Sequence, residues 1–255
     1  MGSAFVLSGL ISLLTASQVQ ALDAFEIQVY DGTADGPGRP GIELHANGVV
    51  SGEREAAPPE LPPNHQTHLT LEPSLGITRW WEIGMYLQST ILPDGTLHYA
   101  GVKLRSKFVR PGWPSERLRW GVNLEISDLP PSYDRNRWGA EVRPILAYTT
   151  PGGRFAFAFN PIFDFDLAGA ARGWPSFEPA LSALFVLDGL FSVGLEYYGD
   201  LGPIDQPSPA SAEQHYLFEV VNVLRWRRIE LNFGVGEGLT AASNPFVVKM
   251  ILGAQ

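Results

Sequence analysis

The sequence predicts an all-β fold, a closed antiparallel transmembrane β-barrel of about twelve strands. Three observations carry that expectation. From Ile42 onward, segment after segment alternates apolar and polar side chains. The links between segments are by turns short and long, and large aromatic rings gather at the segment ends. A period of two is the signature of a strand, because successive side chains point to opposite faces.

The first element precedes the barrel. Residues 4–16 are apolar, the length of a signal-peptide core and too short for a membrane helix. Val19-Gln20-Ala21 offers small residues at the cleavage positions, so residues 1–21 are expected to be a cleaved signal peptide. No cysteine follows that could carry a lipid anchor. Residues 22–40 form an N-terminal extension. Phe25 to Tyr30 alternates within it, but counting it as a strand makes the total odd and puts the N-terminus outside. It is therefore expected to be periplasmic or to plug the barrel, which is expected to span residues 41–255.

The strands follow in order. Ile42, Leu44 and Ala46 oppose Glu43, His45 and Asn47; Leu69, Leu71 and Leu75 oppose His68, Thr70 and Glu72. Trp81, Ile83, Met85 and Leu87 oppose Glu82, Tyr86 and Gln88. Val102, Leu104 and Phe108 oppose Lys103, Arg105 and Lys107; Leu118, Trp120, Val122 and Leu124 oppose Arg117, Arg119, Asn123 and Glu125. Trp138, Ala140 and Val142 oppose Glu141 and Arg143. Phe155, Phe157, Phe159, Phe163 and Phe165 oppose Asn160, Asp164 and Asp166; Phe177, Leu181 and Phe185 oppose Glu178 and Ser182. Phe191, Val193, Leu195 and Tyr197 oppose Ser192 and Glu196. The next segment, from Tyr216, is less regular: taking Tyr216, Phe218 and Val220 as the outer face leaves Asn222 there and sends Glu219 inward. Ile229, Leu231 and Phe233 oppose Glu230 and Asn232, and Phe246, Val248, Met250 and Leu252 oppose Lys249. Segments of roughly ten residues suffice for a tilted strand to cross a bilayer. A dry soluble core would not tolerate a formal charge on the second face of nearly every strand.

Link lengths orient the barrel. Thr78-Arg79, Pro151-Gly152-Gly153, Asp188-Gly189, Arg227-Arg228 and the stretch 111–115 are short and belong on the periplasmic side. Links 51–66, 130–136, 168–175, 201–212 and 237–245 are long and belong outside, with the short Pro93-Asp94-Gly95 turn among them. Trp81, Trp120, Tyr148 and Trp226 then form one aromatic belt. Trp138, Phe165, Phe177, Tyr197, Tyr216 and Phe246 form the other.

The remaining composition excludes several classes. Net charge is 18 − 27 = −9, with no long basic cluster, so no nucleic-acid partner is expected. With no cysteine there is neither a disulfide nor a thiolate metal site.

The stretches Phe25-Glu26-Ile27-Gln28-Val29-Tyr30, Gly41-Ile42-Glu43-Leu44-His45, Gly76-Ile77-Thr78 before Trp81-Glu82, Glu141-Val142-Arg143-Pro144-Ile145 and Leu195-Glu196-Tyr197-Tyr198-Gly199 resemble a family of uncharacterised proteobacterial outer-membrane proteins. That family is distantly similar to the porin-like proteins named after the MetA pathway of phenol degradation. The resemblance implies a barrel in the cell outer membrane and transport, and brings no catalytic residues. One departure from outer-membrane proteins generally is the end of the chain, Leu252-Gly253-Ala254-Gln255, which lacks a terminal aromatic residue.

The inward residues suggest a function. Lys103, Arg105, Lys107, Arg117, Arg119 and Arg143 come from three consecutive strands and are expected to line the lumen as a basic wall. Asp164, Asp166, Glu178, Glu196, Glu219 and Glu230 come from later strands and are expected to form a facing acidic wall. Opposed walls set a transverse field, which favours small polar or zwitterionic solutes in a narrow porin-like conduit. A closed structural barrel, with the charges paired across the lumen, is the plainer alternative.

Glu43, His45, His68 and Glu72 lie inward on neighbouring strands and suit several divalent ions. Their spacing is no recognised ligand motif, so no metal and no cofactor are expected. A lipid-modifying hydrolase would need a serine, a histidine and an acid on the lipid face near the outer rim. Ser89, His98 and Asp128 share the apolar-face parity there, but no oxyanion donor is evident and the chain is not expected to be an enzyme. The expected partners are outer-membrane lipid, the solutes, and the barrel-assembly machinery during insertion.

Overall fold

The computed structural model describes residues 22–110, 117–169, 173–226 and 229–254. Twelve antiparallel strands close into one barrel. They are β1 (Pro40–Ser51), β2 (Thr67–Gly76), β3 (Trp81–Ile91), β4 (Leu97–Val109), β5 (Leu118–Asp128) and β6 (Trp138–Thr149). The circuit continues through β7 (Phe155–Asp166), β8 (Ser176–Val186), β9 (Phe191–Asp200), β10 (Gln214–Trp226), β11 (Ile229–Gly238) and β12 (Phe246–Ala254). Each strand pairs with the next, and β1 pairs with β12 through the register Leu44↔Leu252. Closure pairs every strand edge, a requirement in lipid, where no water satisfies a free N–H or C=O. The expected signal peptide, the inner links at 111–115 and Arg227-Arg228, and the Trp226 side chain lie outside the described residues.

Side-chain alternation sets the two faces. Along β1, Ile42 and Leu44 are exposed while His45 and Asn47 are buried. Outward apolar positions such as Leu104, Leu124, Phe157 and Leu195 are exposed in the same way. An apolar outer wall around a polar interior is the arrangement a bilayer demands. No helix among the described residues is long and apolar enough to cross a membrane. The strands, 9 to 13 residues long, do so instead.

Two departures from simple alternation matter for function. The first is a bulge. Gln88 pairs with Gly101 but Ser89 pairs with Tyr99, so Ala100 is an extra residue in β4. Gly101 sits at φ +121°, and a Cβ there would come within 2.6 Å of the Asp128 carbonyl oxygen. The bulge turns the end of β4 over, so that Tyr99 is exposed and His98 pairs with the buried Thr90.

The second departure is in β10. Tyr216, Phe218 and Val220 are buried inside the barrel, while Leu217, Glu219 and Val221 are exposed on the outside. This reverses the faces expected from the sequence. Tyr216 is not part of the outer aromatic belt, and Glu219 is not in the lumen. The run Tyr-Leu-Phe-Glu-Val-Val is apolar on both parities, so alternation alone could not choose. What decides is an apolar element inside the barrel.

Candidate functional site: the occupied lumen

That element is the N-terminal segment. Residues 22–39 run through the barrel interior, with Leu22, Phe25, Ile27 and Tyr30 buried. An extended chain there exposes backbone groups that need partners, and lumen side chains supply them. The Asn47 amide donates to the Ala24 carbonyl at 2.9 Å and the Thr70 hydroxyl to the Phe25 carbonyl at 2.9 Å. Lys249 Nζ donates to the Ile27 carbonyl at 3.0 Å. Asn160 serves Tyr30 twice: its Oδ1 accepts the Tyr30 N–H at 2.7 Å and its Nδ2 donates to the Tyr30 carbonyl at 3.0 Å. Near the inner rim the segment passes over Gly76, where a Cβ would lie 2.3 Å from the Gly36 carbonyl oxygen.

The alternation of residues 25–30 therefore answers to two unlike walls rather than to membership of the sheet. Leu22, Ile27 and Val29 pack on Ile162, Ala180, Tyr198, Phe218, Val220 and Val247. Glu26 and Tyr30 turn to the charged wall. Arg143 Nη1 donates to Glu26 Oε1 at 3.0 Å, and the Arg143 guanidinium lies 4.6 Å from the Tyr30 ring centroid. The Tyr30 hydroxyl bonds Glu26 at 2.9 Å and Tyr86 at 2.6 Å.

The charges of that wall are matched locally. Arg105 bonds Glu72 through Nε and Glu82 through Nη2, and Lys107 Nζ lies 2.9 Å from Glu82. Lys103 bonds Asp23 and sits 3.7 Å from Glu125. Arg143 bonds Glu141 at 2.7 Å, and Arg119 lies 3.5 Å from Asp31. Arg117 is exposed just before β5 and takes no part in the interior network. Because each interior cation has an acid beside it, these residues do not present an open positive wall.

The acidic residues divide differently. Glu196 is buried and bonds Lys249 and the Tyr198 hydroxyl. Glu230 faces inward beside Gly253, near Glu43. Asp164, Asp166 and Glu178 stand at the outer ends of β7 and β8, within electrostatic reach of Glu141, Asp134 and Asp200, and Asp164 also of Lys103. Asp166 accepts a hydrogen bond from Asn136. Among the described residues, Asp164 and Glu178 have no hydrogen bond or ion pair. The outer mouth thus gathers carboxyl groups that no bonded cation matches.

Lys249, Glu82 and Asn160 are central to this interior, yet alternation marked each only as inward-facing. Their roles depend on the N-terminal segment, and nothing in the strand pattern locates it.

Two smaller constellations complete the site. Glu43, His45 and Glu72 bring their ligand atoms within 4.8 Å of one another. His45 Nε2 already lies 3.2 Å from Glu72 and 3.6 Å from Glu43, and Arg105 bonds Glu72, so the cluster reads as an ion-pair network. His68 is apart from it, against Thr90 and the Phe25 ring. Ser89, His98 and Asp128 are not brought together. The bulge puts Ser89 outward and His98 inward, and Asp128 is held by Arg137 at 2.6 Å.

A closed twelve-stranded barrel with an apolar outer wall and a polar interior is a β-barrel of the outer membrane, built on the porin-like plan. Among solved structures the chain is similar to an outer-membrane channel from Pseudomonas putida F1, with a TM-score of 0.59 at 12% identity over 90% of this chain and 99% of that one. It is also similar to the KdgM porin (TM-score 0.55, 7% identity, 84% and 98% covered) and to the NanC porin (TM-score 0.52, 9% identity, 84% and 98% covered). No family model and no curated protein matches the chain.

Proposed function

We propose that the protein is a narrow conduit for small polar solutes across the outer membrane, with a preference for cationic ones. The observation that carries the preference is the contrast inside the lumen. Lys103, Arg105, Lys107, Arg143 and Lys249 all have acidic partners, while Asp164 and Glu178 have no hydrogen bond or ion pair. An ionised carboxylate at the mouth of a conduit attracts ions of the opposite sign and repels its own. The KdgM porin has been seen in complex with oligogalacturonate, a polyanion; the acidic mouth of this chain argues against such a cargo here. The distant resemblance, through an uncharacterised family, to porin-like proteins named after phenol degradation would favour apolar solutes, which gain little from a charged lumen.

A closed barrel is the competing reading, favoured by the N-terminal segment that fills the middle of the lumen. Planar-bilayer recording separates the two. Small discrete steps with a reversal potential on the cation side in a salt gradient support the conduit. Silence across many insertions favours the closed barrel. The hydrolase reading has lost its geometric support, because Ser89 and His98 lie on opposite faces of the wall.

A further inference from the structure

The short links of the inner rim are basic. Arg79 stands between β2 and β3, Arg117 just before β5 and Arg154 just before β7. All three are exposed, and none has an ion pair with a described residue. Among the described residues the one carboxylate on these links is Asp188, whose Oδ1 already accepts the Leu190 and Phe191 N–H groups at 2.7 and 2.8 Å. The outer links differ: there Arg135 holds Glu60 and Arg137 holds Asp128.

Aromatic rings on the outer wall stand beside these arginines. Trp80, next to Arg79 in the chain, stacks on Trp81 and Phe108 with ring centroids 6.4 and 6.0 Å away. Trp120 is half exposed on β5, and between it and Phe108 the wall opens into a recess of about 280 Å3 with Arg110 on its edge. The Arg154 guanidinium lies 5.8 Å from the Phe185 ring centroid, and Phe185 packs against Phe155 at 5.2 Å. That contact holds the Arg154 head on the lipid side of the wall rather than over the lumen. Guanidinium groups bind phosphate oxygens through charge-assisted hydrogen bonds, and aromatic rings at the same depth receive the glycerol and upper acyl chain.

We propose that the inner rim seats anionic phospholipid of the periplasmic leaflet, with phosphates on Arg79 and Arg154 and upper acyl chains on the two aromatic shelves. Charge complementarity selects the headgroup. A zwitterionic phospholipid brings an ammonium to links where Asp188 is already engaged, whereas an anionic one brings only charge that the arginines attract. The seat does not depend on what passes through the lumen.

Native mass spectrometry of the barrel, released from bilayer discs with equal phosphatidylglycerol and phosphatidylethanolamine, tests this. Phosphatidylglycerol adducts should outnumber phosphatidylethanolamine adducts by about fivefold or more, the effect of a single arginine near a charged surface. Arg79→Gln with Arg154→Gln should bring the ratio close to one while the barrel stays heat-modifiable. Arg135→Gln with Arg137→Gln on the outer rim should leave it unchanged. Lipid A added to the discs should not displace phosphatidylglycerol, because its phosphates belong to the other leaflet. Equal adducts of the two phospholipids, a ratio that survives the inner-rim substitutions, an equal fall in both double variants, or displacement by lipid A overturns the proposal.

Discussion

The Asn160 side chain holds the Tyr30 backbone at both of its polar groups, with 2.7 Å to the N–H and 3.0 Å to the carbonyl. A side-chain amide here does what a neighbouring strand would do, offering one acceptor and one donor at the spacing of a peptide. The N-terminal segment is thus clamped inside the barrel without joining the sheet. Replacing Asn160 by Ala leaves two buried backbone groups without these partners, at a cost of about 1–3 kcal/mol. The expected outcome is faster hydrogen exchange of the Tyr30 amide, by roughly ten- to a hundredfold at that cost. Exchange unchanged from the parent would show that the clamp does not hold the segment.

Lys249 is buried completely and serves three acceptors: Glu196, the Ile27 carbonyl and the Tyr198 hydroxyl. Lys249→Met keeps the length of the side chain but strands Glu196 in the interior. Breaking a buried pair on one side costs about 3–5 kcal/mol, so the heat-modifiability midpoint should fall clearly. Adding Glu196→Gln removes the stranded charge and should recover a large part of the loss. A double variant no better than the single one would refute this account.

The strand plan was legible because both of its causes are local. A period of two marks each crossing, and the lengths of links such as 52–66 and 150–154 mark which side the chain has reached. The lumen was less legible because its occupant is not periodic with anything. Nothing in Phe25 to Tyr30 says that Ile27 will meet Phe218, and without that contact the two apolar faces of β10 cannot be told apart. The same gap misplaced Tyr216 and Glu219. His98 escaped for another reason: a single extra residue at Ala100 inverts every side chain beyond it, and bulges leave little trace in an alternating pattern.

Asp134 lies in the outer link between β5 and β6, and burial, with Asp166 nearby, raises its carboxyl from 3.8 to about 6, against the pull of the Asn136 amide. A carboxyl raised on folding favours the folded state when protonated. Its contribution is fully present below its unfolded value and is lost as pH rises through about 6. Thermal unfolding in detergent should therefore occur at lower temperature at pH 7 than at pH 5. Asp134→Asn, which stays neutral, should flatten that slope. An unchanged slope in the variant would assign the pH dependence to other groups.

Selectivity distinguishes an acidic mouth from a field between opposed walls. If Arg105 and Arg119 formed one free wall, neutralising both would push the conduit towards cations. Arg105 is instead bound to Glu72 and Glu82, and Arg119 lies beside Asp31, so their loss unmasks acids already counted in the lumen's charge. The sharper effect belongs to Asp164→Asn with Glu178→Gln, which removes carboxyls that no bonded cation offsets. A unit charge about 7 Å from the ion path is worth about 0.6 kcal/mol in water, roughly a factor of three in local ion concentration. The pair should lower the cation-to-anion permeability ratio by several-fold, and the effect should shrink at high salt as the charges are screened. Reversal potentials across a salt gradient measure it. A ratio that stays fixed in the double variant would place the selectivity elsewhere in the lumen.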